Sequence, residues 1–248
     1  MHVSKGYPDP TSTFYISSLL RGIRRELSKP PAQKAPITPA ILLQIHNILD
    51  LSQPMAITFW ATSLLAFYSF LRKASLIPKS QTHSCIHESC IRDLIVSDSG
   101  YLLKIKHTKT LQYRDRILSI PFSKIHNSSL CPVRAISKLL SQNSQIPPSA
   151  PLVSYPISGG SYRFFTHSTF ENYLNKALAL AGQSPSSFSG HSFRRGGASF
   201  AFSCGVPADL IKIQGDWSSD AYLRYLSSPL SHRQQVFHSI SHHISKLS

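Results

Sequence analysis

From Leu51 to Leu71 the chain carries no charged residue. Phe59, Trp60, Leu64, Leu65, Phe67 and Phe70 leave that stretch without a continuous polar side, so the helix predicted from about Pro54 to Lys73 is one that a sizeable domain buries. Gln53, Thr58, Thr62, Ser63 and Ser69 interrupt it, and no second such segment follows, which argues against a membrane span. Elsewhere helices are expected over residues 13–29, 39–51, 132–140 and 168–181, and residues 190–205 and 208–226 complete the fold. Thr38-Pro39 reads as a cap and first turn, and Cys131-Pro132 opens another helix. Alternation in Gly100-Tyr-Leu-Leu-Lys-Ile-Lys-His and in Arg116-Ile-Leu-Ser-Ile-Pro predicts one β-hairpin, the only convincing sheet in the pattern. The prolines of PPAQKAPITP mark a linker near residues 30–37, and SQNSQIPPSAP reads as a surface loop. The expected fold is mainly α with a small antiparallel β-sheet (α+β), residues 1–35 contributing one basic amphipathic helix and the linker, residues 36–248 the main domain.

Charge changes the picture more than composition does. In 248 residues, 42% of them hydrophobic, there is ample material for a core. Lys and Arg number 26 against 11 Asp and Glu, a net charge of +15 with only 15% of residues charged, so the imbalance is a shortage of acids. A polyanionic partner follows, nucleic acid before a membrane surface. Four cysteines do not make a disulfide framework, and the start MHVSKGYPDP lacks the apolar core of a secretion signal, which points to a reducing intracellular compartment.

Candidate chemistry lies in four places. His191-Ser-Phe-Arg194-Arg195-Gly-Gly sets a His and an Arg three apart, on one face of a helix, where an imidazole and a bidentate guanidinium grip phosphate oxygens. Downstream stands Gly215-Asp-Trp217-Ser-Ser-Asp-Ala-Tyr222-Leu-Arg-Tyr225-Leu; upstream stand Phe70-Leu-Arg72-Lys-Ala and Lys106-His-Thr-Lys109-Thr. Singly each has a plain structural reading: Arg72 as a cation ending an apolar helix, Lys109 on an exposed basic strand, Trp217 and Tyr225 as core aromatics. Lys106 competes with Lys109, and Tyr222 with Tyr225.

Together, and in this order, these motifs resemble the tyrosine recombinase (phage integrase) family, most closely its eukaryotic mobile-element branch of DIRS-like retrotransposons and Cryptons. The resemblance runs from about Lys34 to Leu230 and includes PITPAILLQI and LCPVRAI. It implies the family's catalytic domain behind a remnant of the amino-terminal DNA clamp. It assigns Arg72 as the first catalytic arginine, Lys109 as the hairpin lysine and acid for the departing 5′ oxygen, and His191 and Arg194 as the His-x-x-Arg pair. Trp217 takes the His/Trp place and Tyr225 that of the nucleophile. It further implies DNA cleavage and rejoining through a 3′-phosphotyrosine without metal or nucleotide cofactor, duplex DNA with paired recognition sites as partner, a homotetramer on that DNA, and a nuclear location. Two departures stand out: Ser75 occupies the position three after Arg72 where the family often has an acid, and Trp217 precedes Tyr225 by eight residues, one fewer than in many bacterial members. A decayed DNA-binding relative and a type IB topoisomerase-like relaxing enzyme are the alternatives. His83, Cys85, His87 and Cys90 form a rival cluster of zinc ligand types in a spacing that fits no common finger. The tail Ser231 to Ser248 has apolar residues near helical spacing, suited to docking on a neighbouring subunit or in cis.

Overall fold

The computed structural model describes residues 6, 9, 11, 13–27, 33–82, 89–106, 117–226, 241 and 244–245, without the side chains of Arg24, Arg224 and Tyr225. The chain divides into two compact units, Met1–Gln33 and Lys34–Ser248. In the first, α1 (Phe14–Leu27) is the expected amphipathic helix, with Phe14, Tyr15, Leu19 and Leu27 exposed.

The second unit is built around α3 (Pro54–Ser69), where every residue from Ala56 to Phe67 is buried. Its two threonines are hydrogen-bonded, whereas the buried Ser63 hydroxyl has no hydrogen-bond partner among the described residues. Thr62 Oγ1 donates to the Thr58 carbonyl at 2.7 Å, and Thr58 Oγ1 donates to the Pro54 carbonyl at 2.9 Å while accepting from Gln142 at 2.8 Å. No helix among the described residues is long and apolar enough to cross a membrane. Before α3 comes α2 (Pro39–Ile48), opened as expected by Thr38, whose hydroxyl accepts from the Ile41 amide. After it come α4 (Lys73–Leu76), α5 (Pro132–Gln142), α6 (His167–Leu180), α7 (His191–Ser203) and α8 (Ala208–Gln214). Helices α5 and α7 pack on α3.

The sheet is larger than the hairpin predicted. Strands β2 (Gly100–Ile105) and β3 (Leu118–Ser123) pair antiparallel with Leu103 opposite Ile120, and β1 (Leu94–Ser97) adds a third strand with Leu94 opposite Leu103. Leu103, Ile105, Ile120 and Phe122 are the buried face. A separate ribbon of β4 (Ser154–Pro156) and β5 (Tyr162–Phe164) was not expected, because three-residue strands leave no readable alternation. The presumed surface loop before it is partly internal. Asn143, Ile146 and Ala150 are buried, and Asn143 donates to the Ser154 carbonyl at 2.8 Å.

Two helix ends meet one requirement. The apolar helix, expected to run to about Lys73, stops at Ser69, where Phe70 takes a left-handed conformation (φ 52°), so Arg72 sits in the turn leading to α4. The segment 208–226 divides at Gly215 and Asp216, the latter also left-handed (φ 53°), before a short 3₁₀ helix over Asp220–Tyr225. Both breaks turn a backbone carbonyl toward Arg194.

Close approach of α7 to α3 rests on Gly197, and its approach to the segment before α2 on Gly196. A Cβ on Gly197 would lie far inside contact distance of the Phe67 carbonyl oxygen, and one on Gly196 would overlap the Ile37 carbonyl. Both neighbours are backbone and cannot yield as a side chain would. Gly197→Ala is therefore expected to destabilise the protein by roughly 2–4 kcal/mol, read as a lower urea midpoint.

Candidate active site

Helix α7 places its first two turns by their chemistry. Phe193 is fully buried against Phe170, with ring centroids 5.6 Å apart, and this packing turns Arg194, the next residue, under the end of α3. Arg194 is 3% exposed. Its Nη1 donates to the Phe70 carbonyl and, at 2.8 Å, to the Gly215 carbonyl. The Trp217 ring lies over the guanidinium, 3.6 Å from its carbon to the ring centroid. Gly215 is required here, since a Cβ at that position would enter the indole of Trp217. The guanidinium thus joins the C-terminal ends of α3 and α8 and is held in one plane by an aromatic lid.

His191, one turn earlier on the same helix, is exposed at the rim. Its pKa lies below the ordinary histidine value, first through desolvation and then through the positive charges of Arg194, Arg72 and Lys73, with Glu171 opposing. The charges of Arg72 and Arg194 thus both act on His191, although the two arginines stand 122 positions apart in the sequence. An imidazole so depressed is neutral near pH 7 and carries one N–H and one acceptor nitrogen.

Trp217 is 7% exposed and Tyr222 8%, with ring centroids 6.0 Å apart, in a small cluster with Phe70, Ala198 and Ile211. Tyr222 is thus a packing residue, further engaged by Lys212 over its ring. Tyr225 is the last residue of the 3₁₀ helix, one turn of that helix beyond Tyr222. Lys109 lies outside the described residues, in the segment joining Ile105 to Leu118, the last pair of the β2–β3 ladder. Its competitor Lys106 is engaged structurally, paired with the buried Asp93 whose other oxygen accepts from the Cys90 amide at 3.0 Å. Of the rival zinc cluster, His83, Cys85 and His87 lie outside the described residues and Cys90 is buried. Among the described residues no group of three or more metal-ligating side chains forms. Most of the tail Ser231 to Ser248 is likewise outside them.

Sequence reasoning missed Glu171 and the two carbonyls that accept from Arg194. Glu171, on α6, forms an ion pair with Lys73 at 2.5 Å and accepts from the Gly190 amide at 3.2 Å, so it touches the neighbours of both Arg72 and His191. The available signal was scarcity: Glu171 is the only acid between Asp115 and Asp209.

No protein-family model matches the chain, and no curated protein is similar to it in sequence. Solved structures are. The XerH site-specific recombinase bound to difH substrate, a pre-cleavage complex, matches with a TM-score of 0.57 at 13% identity, over 84% of this chain and 54% of that one. The XerA recombinase matches with a TM-score of 0.55 at 18% identity, over 96% of this chain and 78% of that one. A lambda integrase dimer bound to a COC′ core site matches at 0.51 and 17%, over 84% and 56% of the two chains. The chain spans about half the length of the XerH structure. These likenesses establish its fold, that of the tyrosine recombinase catalytic domain.

Because two buried carbonyls and an indole face depend on one side chain, Arg194 has a structural role. Arg194→Ala is expected to cost roughly 2–4 kcal/mol of folding stability, since each orphaned acceptor costs about 1–3 kcal/mol. Arg194→Lys, which keeps the charge but loses the fork, is expected to cost less, and urea unfolding of the two variants side by side checks the order.

Proposed function

We propose that this chain is the catalytic part of a site-specific DNA recombinase or integrase that cuts and rejoins strands through a 3′-phosphotyrosine. The observation that carries the reading is the guanidinium of Arg194, buried and immobilised under Trp217, beside His191 and Arg72 in a fold shared with proteins such as XerH. A phosphodiester undergoing transfer gathers negative charge on its non-bridging oxygens. Cationic donors already oriented in a partly dry site stabilise that charge without reorganising. The carbonyls of Phe70 and Gly215 set the plane of the Arg194 fork, Arg72 supplies a second cation, and neutral His191 adds one hydrogen bond.

In this scheme the Tyr225 oxygen attacks phosphorus, its proton passing to solvent water, and the P–O5′ bond breaks as the Lys109 ammonium protonates the departing oxygen. The phosphodiester energy is kept in the covalent adduct, and a 5′ hydroxyl reverses the step. Tyr222 is a poor nucleophile candidate because it is packed against Trp217. Duplex DNA with paired sites is the partner, and a homotetramer the working assembly. A nuclear, mobile-element origin follows from the motif strings alone.

A nicked duplex that traps the intermediate tests the reading by denaturing electrophoresis. Wild type and Tyr222→Phe are expected to give a protein–DNA adduct and Tyr225→Phe none, with the wild-type adduct insensitive to chelator. An adduct from Tyr225→Phe lost in Tyr222→Phe would reverse the assignment, and binding without any adduct would favour a DNA-binding relative that has lost catalysis.

Salt gives a second test. With a net charge of +15, binding should rest on phosphate contacts. Neutralising about 6–10 phosphates lowers affinity roughly a thousandfold or more between about 50 and 200 mM salt, measurable by fluorescence anisotropy. A flat response would count against a DNA-facing basic surface.

A further inference from the structure

We propose, resting on the site read above, that Glu171 is its positioning carboxylate, clamping the arm that carries Arg72 to the arm that carries His191. One oxygen does both jobs. Glu171 Oε1 takes the Lys73 ammonium at 2.5 Å and the Gly190 amide at 3.2 Å. Lys73 follows Arg72 directly and Gly190 precedes His191, so a single acid from α6 spans two elements distant in sequence. The position three after Arg72 cannot serve, being Ser75, which is buried and uncharged, its carbonyl accepting from Ser89.

An independent feature agrees with the clamp. A Cβ on Gly190 would lie 2.6 Å from Lys73 Cδ and 3.2 Å from Glu171 Oε1, so the glycine leaves the room in which the lysine stem crosses the start of α7. Stability is not a sufficient reason for the arrangement. Both side chains are 28% exposed, and pairs so placed contribute little. Charge is the better reason. The ionisable groups acting on His191 are Arg194 on its own helix, Arg72 in the turn, Lys73 on α4 and Glu171 on α6, and Glu171 alone is negative. His167, at the start of α6, is subject to Lys73 and Glu171 as well and has its pKa lowered chiefly by desolvation.

Glu171→Gln separates charge from shape, since the amide keeps an oxygen for the Gly190 N–H. Two readouts follow. The first is the His191 ring-proton titration by NMR on protein without DNA; the second is the rate of adduct formation on the nicked duplex. With only cations left around it, His191 should titrate at lower pH in Glu171→Gln than in wild type, and the adduct should form about 10–100-fold more slowly, the loss usual for a residue orienting its neighbours. Lys73→Met alone should move the titration to higher pH, and the double variant should bring it back toward wild type. Glu171→Asp, which keeps the charge, should leave it close to wild type.

An unmoved titration or an unchanged rate in Glu171→Gln would overturn the inference. Should Glu171→Gln fail to fold, the Lys73→Met and Glu171→Asp titrations decide in its place. If wild type itself forms no adduct, the functional reading fails, and the titrations alone judge Glu171.

Discussion

A guanidinium that is 3% exposed has to be given partners by the backbone around it, and Arg194 is the constraint to which the site conforms. Desolvating a cation is costly unless acceptors meet it, so the C-terminal ends of two helices bring carbonyls, from Phe70 and Gly215, to Nη1. Both breaks carry a non-glycine residue in the left-handed region, Phe70 and Asp216, which costs conformational energy and persists because the surrounding contacts over-determine it. Gly196 and Gly197 let α7 come close enough for the guanidinium to arrive there, and Gly215 leaves space for the indole that covers it.

Around that fixed cation the protein is short of negative charge. The positive charges of Arg194, Arg72 and Lys73 act on His191 and disfavour its protonation. The chain has only 11 acids, and among the described residues three of them pair with lysines: Asp93 holds Lys106, Glu171 holds Lys73, and Asp220 holds Lys212. The Glu171 pair joins the start of α4 to α6 beside the start of α7.

Periodic and local signals were legible from residue order. The apolar run around Trp60 marked a buried helix because no polar side survives in it, and Thr38-Pro39 marked a helix start because the hydroxyl caps amides two to three residues on. The hairpin strands were found within two residues, since Leu103, Ile105, Ile120 and Phe122 alternate. Short elements escaped: β1, β4 and β5 have three or four residues each, no more than two periods of a strand.

By itself the sequence determined which residue types exist to do chemistry, their order along the chain, and the fold class, because burial patterns and motif spacings are properties of neighbours in sequence. Only the tertiary structure decided that the apolar helix ends before Arg72, that Tyr222 is packed under Trp217, that Lys106 belongs to Asp93, and that Glu171 reaches both Lys73 and Gly190. Each of these depends on groups brought together across long stretches of chain. A carbonyl turned by a left-handed residue, or a carboxylate arriving from another helix, leaves no periodic trace in sequence, since what selects it is the energy of satisfying a buried or crowded charge after the elements have packed.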